Sequence, residues 1–189
     1  VMGKNDIRST FSNQWGRSLA FYVISHGARI AVRGHKMKTL LTDRGIHPNK
    51  IFIPQNVHDF NLFYPRDDVT PNYDLIYVGL IESYKRLDLL LDAFNSVLRI
   101  RPETKLHIVG DGSKRLCLEE YTQQLKISDQ VYFSGAQPFY SLPDIFRNAR
   151  ILVMTSQGEG LPQALIEAFS CGLPAVVPDD ADIGEIAIH

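Results

Sequence analysis

Cysteine is scarce: Cys117 and Cys171 are the two present in 189 residues. They cannot build a disulfide framework, no C-x-x-C occurs, and a reducing, cytoplasmic setting is expected. Long apolar runs are missing as well. The longest, Leu75 to Ile81, is far short of the ~20 residues that span a bilayer. No signal-peptide pattern opens the chain. Neither sign of charge dominates, with 20 Lys+Arg against 21 Asp+Glu and a net charge of -1. A general nucleic-acid binder is much more basic, so nucleic acid is not an expected partner. There is no internal repeat, no Walker A loop, no nucleophile elbow and no H-E-x-x-H. The six histidines show no H-x-x-x-H spacing. What is present, 44% apolar and 22% charged residues, is ordinary for a soluble globular protein and excludes disorder, collagen and coiled coil. At roughly 150 residues per domain the length fits one domain plus part of another. The chain opens on Val1 and closes at His189 inside a helical pattern, so a fragment of a longer protein is expected.

The second half alternates regularly. Short apolar runs at Asp74–Val78, Lys105–Val109, Gln130–Phe133, Ile151–Met154 and Pro174–Val177 read as strands far enough apart for one crossover helix each. Between them, Leu87, Leu90, Leu91, Phe94, Val97 and Leu98 recur at helical spacing. Leu116, Tyr121 and Leu125 do so more weakly. Ala164, Leu165, Ala168 and Phe169 mark a third helix, stopped by Gly172. Strands apolar throughout, alternating with helices, imply an α/β fold with a parallel sheet covered on both faces. The first 60 or so residues carry a shorter version: a helix over Arg17–His26, a strand at Arg29–Val32, a helix from His35 to Arg44 stopped by Gly45, and a strand at Lys50–Ile53. The aperiodic stretch from Leu62 to Asn72, with Pro65 and Pro71, reads as a linker. The expected division is residues 1–68 and residues 69–189.

Ligands of an open parallel sheet bind outside the carboxyl ends of its strands. That rule selects Leu80–Arg86, Gly110–Ser113, Ser134–Pro138, Thr155–Leu161 and Asp179–Asp182, where the glycines and clustered charges concentrate. Thr155-Ser156-Gln157-Gly158-Glu159-Gly160-Leu161-Pro162 leads into a helix, with Pro162 suited to its first position. Free N–H groups and the positive dipole end make such a start a seat for phosphate. Glu167 lies five residues past Pro162, about 7.5 Å along the axis. Carboxylates accept hydrogen bonds from hydroxyls. Glu159 and Glu167 flanking an anion site therefore suit a diphosphate with a sugar at each end. Spacing alone leaves the alternative open that both are solvated charges. Lys85, just past Gly79, reads either as a diphosphate partner or as a solvated lysine at a helix start, and Arg86 as a weaker version. Gly110-Asp111-Gly112 lacks the third glycine of a dinucleotide fingerprint and reads as a tight turn with Asp111 near a helix cap. Asp180-Ala181-Asp182 reads as helix caps in preference to a metal motif. His107, in an apolar strand, reads as structural.

Taken together these residues resemble a glycosyltransferase of family 4, which has the GT-B architecture. Glu159-x7-Glu167 matches the family's E-x7-E motif. Ser156, Glu159-Gly160-Leu161-Pro162, Leu165-Ile166-Glu167-Ala168 and Gly172-Leu173-Pro174-Ala175-Val176-Val177 match its surroundings. Tyr77-Val78-Gly79, Lys85 and Asp88-Leu89-Leu90-Leu91-Asp92-Ala93-Phe94 resemble the family's strand–lysine–helix opening. Leu106-His107-Ile108-Val109-Gly110-Asp111-Gly112 and Val131-Tyr132-Phe133-Ser134-Gly135 resemble its next two blocks, and Ile53-Pro54-Gln55-Asn56-Val57 with Phe63 the end of its acceptor domain. The resemblance implies two Rossmann-like domains: the tail of an acceptor domain in residues 1–68 and a truncated nucleotide-sugar domain in residues 69–189. It implies a retaining glycosyltransferase that moves a sugar from a UDP- or GDP-sugar to a glycan, lipid-linked or small-molecule acceptor, without a metal or other cofactor. Glu159 would hold donor-sugar hydroxyls, Glu167 the ribose, and Lys85 the diphosphate. The N–H groups of Gly160 and Leu161, beside Pro162, would face the sugar or diphosphate. Gly135, Ala136 and Gln137 would touch the base, with Gly79, Arg86 and Gly110 completing the donor-binding set and Glu159 and Lys85 acting in catalysis. Peripheral membrane association of the full-length protein would involve acceptor-domain regions mostly absent from this chain.

The sequence departs from the family pattern at three places. The arginine expected after Gly79 is Leu80, and Arg86 is the only nearby candidate to replace it. The usual Asn-Gly pair before the linker is Gln55-Asn56. Met2 stands where a catalytic histidine often occurs, so no catalytic role falls on that segment. Two other functions remain open: a sugar-nucleotide 2-epimerase on a similar scaffold, and a non-catalytic nucleotide-sugar-binding protein.

Overall fold

The computed structural model describes residues 22, 26–27, 29–32, 34–54, 58–156 and 162–178. The chain divides into two compact units, the second of them made of residues 58–157 and 163–178. In the first, β1 (Ile30–Ala31) pairs in parallel with β2 (Ile51–Phe52). Between them runs α1 (His35–Asp43), which packs Leu41 with Val32, Ile46 and Ile51 in a small core. Gly45, at φ 90°, turns the chain out of α1 as a helix-stopping glycine should. The helix expected over Arg17–His26 lies almost entirely outside the described residues.

The second unit is a five-stranded, all-parallel sheet of order β5-β4-β3-β6-β7. Its strands are β3 (Tyr73–Val78), β4 (Leu106–Val109), β5 (Val131–Gly135), β6 (Ala149–Val153) and β7 (Ala175–Val176). The intervening helices are α2 (Leu87–Leu98), α3 (Arg115–Leu125), α4 (Leu142–Arg147) and α5 (Gln163–Ser170). All four residues of β4 are buried, as a central parallel strand requires. On one face Leu75, Tyr77, Leu106, Ile108, Val131 and Phe133 meet Leu87, Leu90, Leu91 and Phe94 of α2 and Leu118 of α3. The alternate residues Ile76, Val109 and Leu152 are also buried, and α4 and α5 pack against β6 and β7. This is the Rossmann-like arrangement expected. Among the described residues, no helix is long and apolar enough to cross a membrane.

Two local expectations change. In α3 the buried residues are Leu118 and Thr122, whereas Leu116 is 74% exposed. The stretch expected to be a linker is packed at Phe63, which is buried and whose ring lies 5.4 Å from that of Phe139 and 6.4 Å from that of Phe146. By its own contacts the second unit begins at His58, eleven residues before residue 69.

Candidate functional site

The chain builds the sheet outward from β3 through β4 to β5, then returns to the other side of β3 with β6 and β7. The reversal falls between β3 and β6, and open α/β sheets bind ligands outside the carboxyl ends of the strands at such a switch point. The loop leaving β3, residues 79–86, and the segment leaving β6, residues 154–156, meet there. The Thr155 hydroxyl donates to the main-chain carbonyl of Lys85 at 2.9 Å.

Lys85 ends a 3-10 turn over Ser83–Lys85. Its Nζ lies 5.3 Å from the centre of the Tyr84 ring. Arg86 takes a left-handed conformation at φ 52° to start α2, and its Nε donates to Asp88 at 3.2 Å. The guanidinium that could have replaced the missing arginine is thus engaged on its own helix, and Leu80, at the arginine position, is 59% exposed. The rest of the loop is tied to the β4 loop. Ile81 N–H donates to the Asp111 carbonyl at 2.9 Å and Lys114 N–H to the Ile81 carbonyl at 3.1 Å. The Glu82 carboxylate accepts from Ser113 N–H at 2.9 Å and from Ser113 Oγ at 2.7 Å. Those two bonds hold the Glu82 carboxyl below its ordinary pKa. Tyr77, buried beneath, donates its hydroxyl to the Leu80 carbonyl at 2.8 Å.

Gly79, Gly110 and Gly135 end three adjacent strands. Gly79 N–H bonds the Val109 carbonyl at 3.0 Å and Gly110 N–H the Gly135 carbonyl at 2.9 Å. A Cβ on Gly110 would lie 1.8 Å from the Gly79 carbonyl oxygen, so glycine is required there by the approach of two strand ends. Gly112 is constrained likewise, 2.4 Å from the Ile81 oxygen. Asp111 does not cap α3. Its carboxylate accepts from Gly112 N–H at 2.8 Å and from Arg115 at 3.2 Å. After β5, Gln137 turns its Nε2 back onto the Ser134 carbonyl at 2.8 Å and so folds the loop that carries exposed Ala136. Beneath it, Ser134 Oγ bonds His107 Nε2 at 2.8 Å.

Ser156 and Glu167 are buried, at 1% and 3% exposure. Burial raises the Glu167 carboxyl above its ordinary pKa, partly countered by a hydrogen bond from Gln163. Pro162 stands one residue before α5. Glu159, Gly160 and Leu161, with Asp180 and Asp182, lie outside the described residues. Among the described residues no group of three or more His, Cys, Asp or Glu side chains is placed to hold a metal. Thr155, Glu82, Ser113 and Ser134 carry no signal of their own in the sequence. Each acts through a hydrogen bond to a residue distant in sequence, and only the strand-end loops that hold them mark their place.

A family model described as glycosyl transferases group 1 matches residues 65–189. The chain is 29% identical to a phosphatidylinositol N-acetylglucosaminyltransferase subunit of Arabidopsis thaliana, over 95% of this chain and 42% of that protein. It is 31% identical to the lipopolysaccharide 1,6-galactosyltransferase of Escherichia coli, over 76% of this chain and 40% of that protein. The chain thus spans about two fifths of the curated relatives it matches. Among solved structures, HepE of Anabaena in complex with UDP superposes with a TM-score of 0.81 at 19% identity, over 96% of this chain and 53% of that one. The galactosyltransferase WaaB in its apo form gives 0.66 at 26% identity, over 86% of this chain and 46% of that one.

Proposed function

Because this chain belongs to the glycosyl transferases group 1 family, we propose that it is the donor-side part of an enzyme that moves a sugar from a UDP- or GDP-sugar to a glycan, lipid-linked or small-molecule acceptor with retention of configuration. The observation that carries this reading is the switch point between β3 and β6, where the main chain of Lys85 is tied to Thr155 from the segment after β6. A diphosphate seated there would place its charge near the Lys85 ammonium. Glu167, in the helix that follows β6, would accept the ribose hydroxyls and Glu159 those of the donor sugar. The N–H groups of Gly160 and Leu161 would meet the sugar or diphosphate, and Gly135, Ala136 and Gln137 the base. The bond from the anomeric carbon to the phosphate oxygen breaks and its electron pair leaves with the diphosphate. The acceptor hydroxyl attacks from the same face and passes its proton to the departing oxygen. The Lys85 ammonium and N–H dipoles stabilise the developing diphosphate charge without a metal or cofactor. The relatives named as an N-acetylglucosaminyltransferase and a galactosyltransferase, and the neighbour solved with UDP, support a nucleotide-sugar donor.

Glu167→Ala in the full-length protein is expected to weaken donor binding roughly 10- to 100-fold, the worth of one charge-assisted hydrogen bond. Calorimetric titration with UDP- and GDP-sugars measures it, and unchanged affinity removes the assigned role. Exposed Leu80 and the Arg86–Asp88 pair favour a second reading, a nucleotide-sugar-binding protein without catalytic activity. A full-length protein that binds a nucleotide sugar and transfers nothing would establish it.

A further inference from the structure

We propose that Thr155 is a positioning residue that fixes the main chain of Lys85 at the switch point, an inference that rests on the donor-binding reading of Lys85 above. A lysine ammonium rides on a flexible stem, so its reach is set by where its main chain is held. The loop over residues 79–86 is held from three directions. From β3 itself, the Tyr77 hydroxyl bonds the Leu80 carbonyl. From the β4 side, Ser113 bonds Glu82, and two main-chain bonds join Ile81 to Asp111 and Lys114. These anchors grip the proximal half of the loop. The distal half, which carries Lys85, turns through a 3-10 helix and leaves by the left-handed Arg86, a conformation that a non-glycine residue holds only when its surroundings impose it. The Thr155 hydroxyl reaches this half from β6, 70 residues away in sequence, and donates to the carbonyl of Lys85 itself. It is therefore a side-chain tie that spans the two sides of the reversal in strand order. Holding the lysine before a ligand arrives lowers the ordering cost of binding.

The test uses the full-length protein and whichever of a UDP-, GDP- or ADP-sugar panel binds the wild type. Thr155→Val keeps the side chain's shape and removes the donor. It should raise the donor dissociation constant roughly 3- to 10-fold, the range of one neutral hydrogen bond. Thr155→Ser, which keeps the hydroxyl, should restore it. In a Lys85→Ala background Thr155→Val should have no further effect, because its influence passes through Lys85. Equal affinity in wild type and Thr155→Val, failure of serine to rescue, or full additivity with Lys85→Ala each overturns the assignment. Failure of the wild type to bind any donor defeats the donor reading first, and this inference with it.

Discussion

His107 shows how one buried side chain can link the sheet interior to the loop that leaves β5. Its ring lies between Tyr73, at 4.5 Å, and Tyr132, at 5.2 Å. Nε2 meets Ser134 Oγ, and Nδ1 is buried with no partner among the described residues. The neutral tautomer with its proton on Nε2 donates to Ser134 and leaves only a lone pair on Nδ1. Protonation would put an N–H there with nothing to accept it. Burial accordingly lowers the His107 pKa from 6.5 to about 4. In the unfolded chain the ring takes up its proton near 6.5, in the folded chain only near 4. Between those values the unfolded state binds more protons, so stability falls as the pH falls from 6.5 toward 4 and is unaffected above 6.5. His107→Gln can keep a bond to Ser134 but does not titrate. Relative to wild type, this variant should gain stability as pH drops from about 7 to about 4.5, measured by urea midpoints at each pH. A gap between the two that stays constant across that range would contradict the assignment.

At the scale of elements, the strands are legible because β4 is buried at every residue and β3 and β6 carry apolar residues on both faces of the sheet. The positions of Gly79, Gly110 and Gly135 follow from the strand ends, although the reason for Gly110 does not: it is a clash between two loops distant in sequence. The α3 stripe misleads for a local reason. Thr122 occupies a buried position, and its hydroxyl is satisfied by donating to the Glu119 carbonyl at 2.7 Å. A polar residue so satisfied hides the period that runs through Leu118, Thr122 and Leu125, while Leu116, in the first turn, faces solvent. Short α4 escapes a periodicity search because six residues carry too few repeats. Leu118→Ala should cost about 2–5 kcal/mol as a core truncation. Leu116→Ala should stay within about 0.5 kcal/mol as a surface change. Chemical denaturation of the two variants compares them directly, and equal costs would put Leu116 on the packed face after all.

For the molecule as a whole, residues 58–68 form a strap on the second unit. Arg147, whose side chain is 5% exposed, donates to the Tyr64 carbonyl at 3.0 and 2.9 Å and to the Leu62 carbonyl at 3.2 Å. Its guanidinium also lies over the Tyr64 ring, 4.4 Å from the centroid, and pairs with Asp144 at 2.9 Å. Phe63, next to both carbonyls, fills the apolar space beside Phe146 at the base of α4. Pro65 meanwhile comes close enough to Gly172 that a Cβ there would sit 3.3 Å from it. One buried aromatic and one buried cation thus join the strap to α4, and Pro65 lies against the turn after α5. Phe63→Ala should remove about 3–5 kcal/mol. If the strap is integral to the unit, that loss must reach the sheet. Hydrogen exchange of the amides of Leu106–Val109, the fully buried β4, should accelerate by the corresponding factor, while exchange at Ile51 and Phe52 of the first unit stays unchanged. Faster exchange confined to residues 58–68 would mean that the sheet folds without the strap.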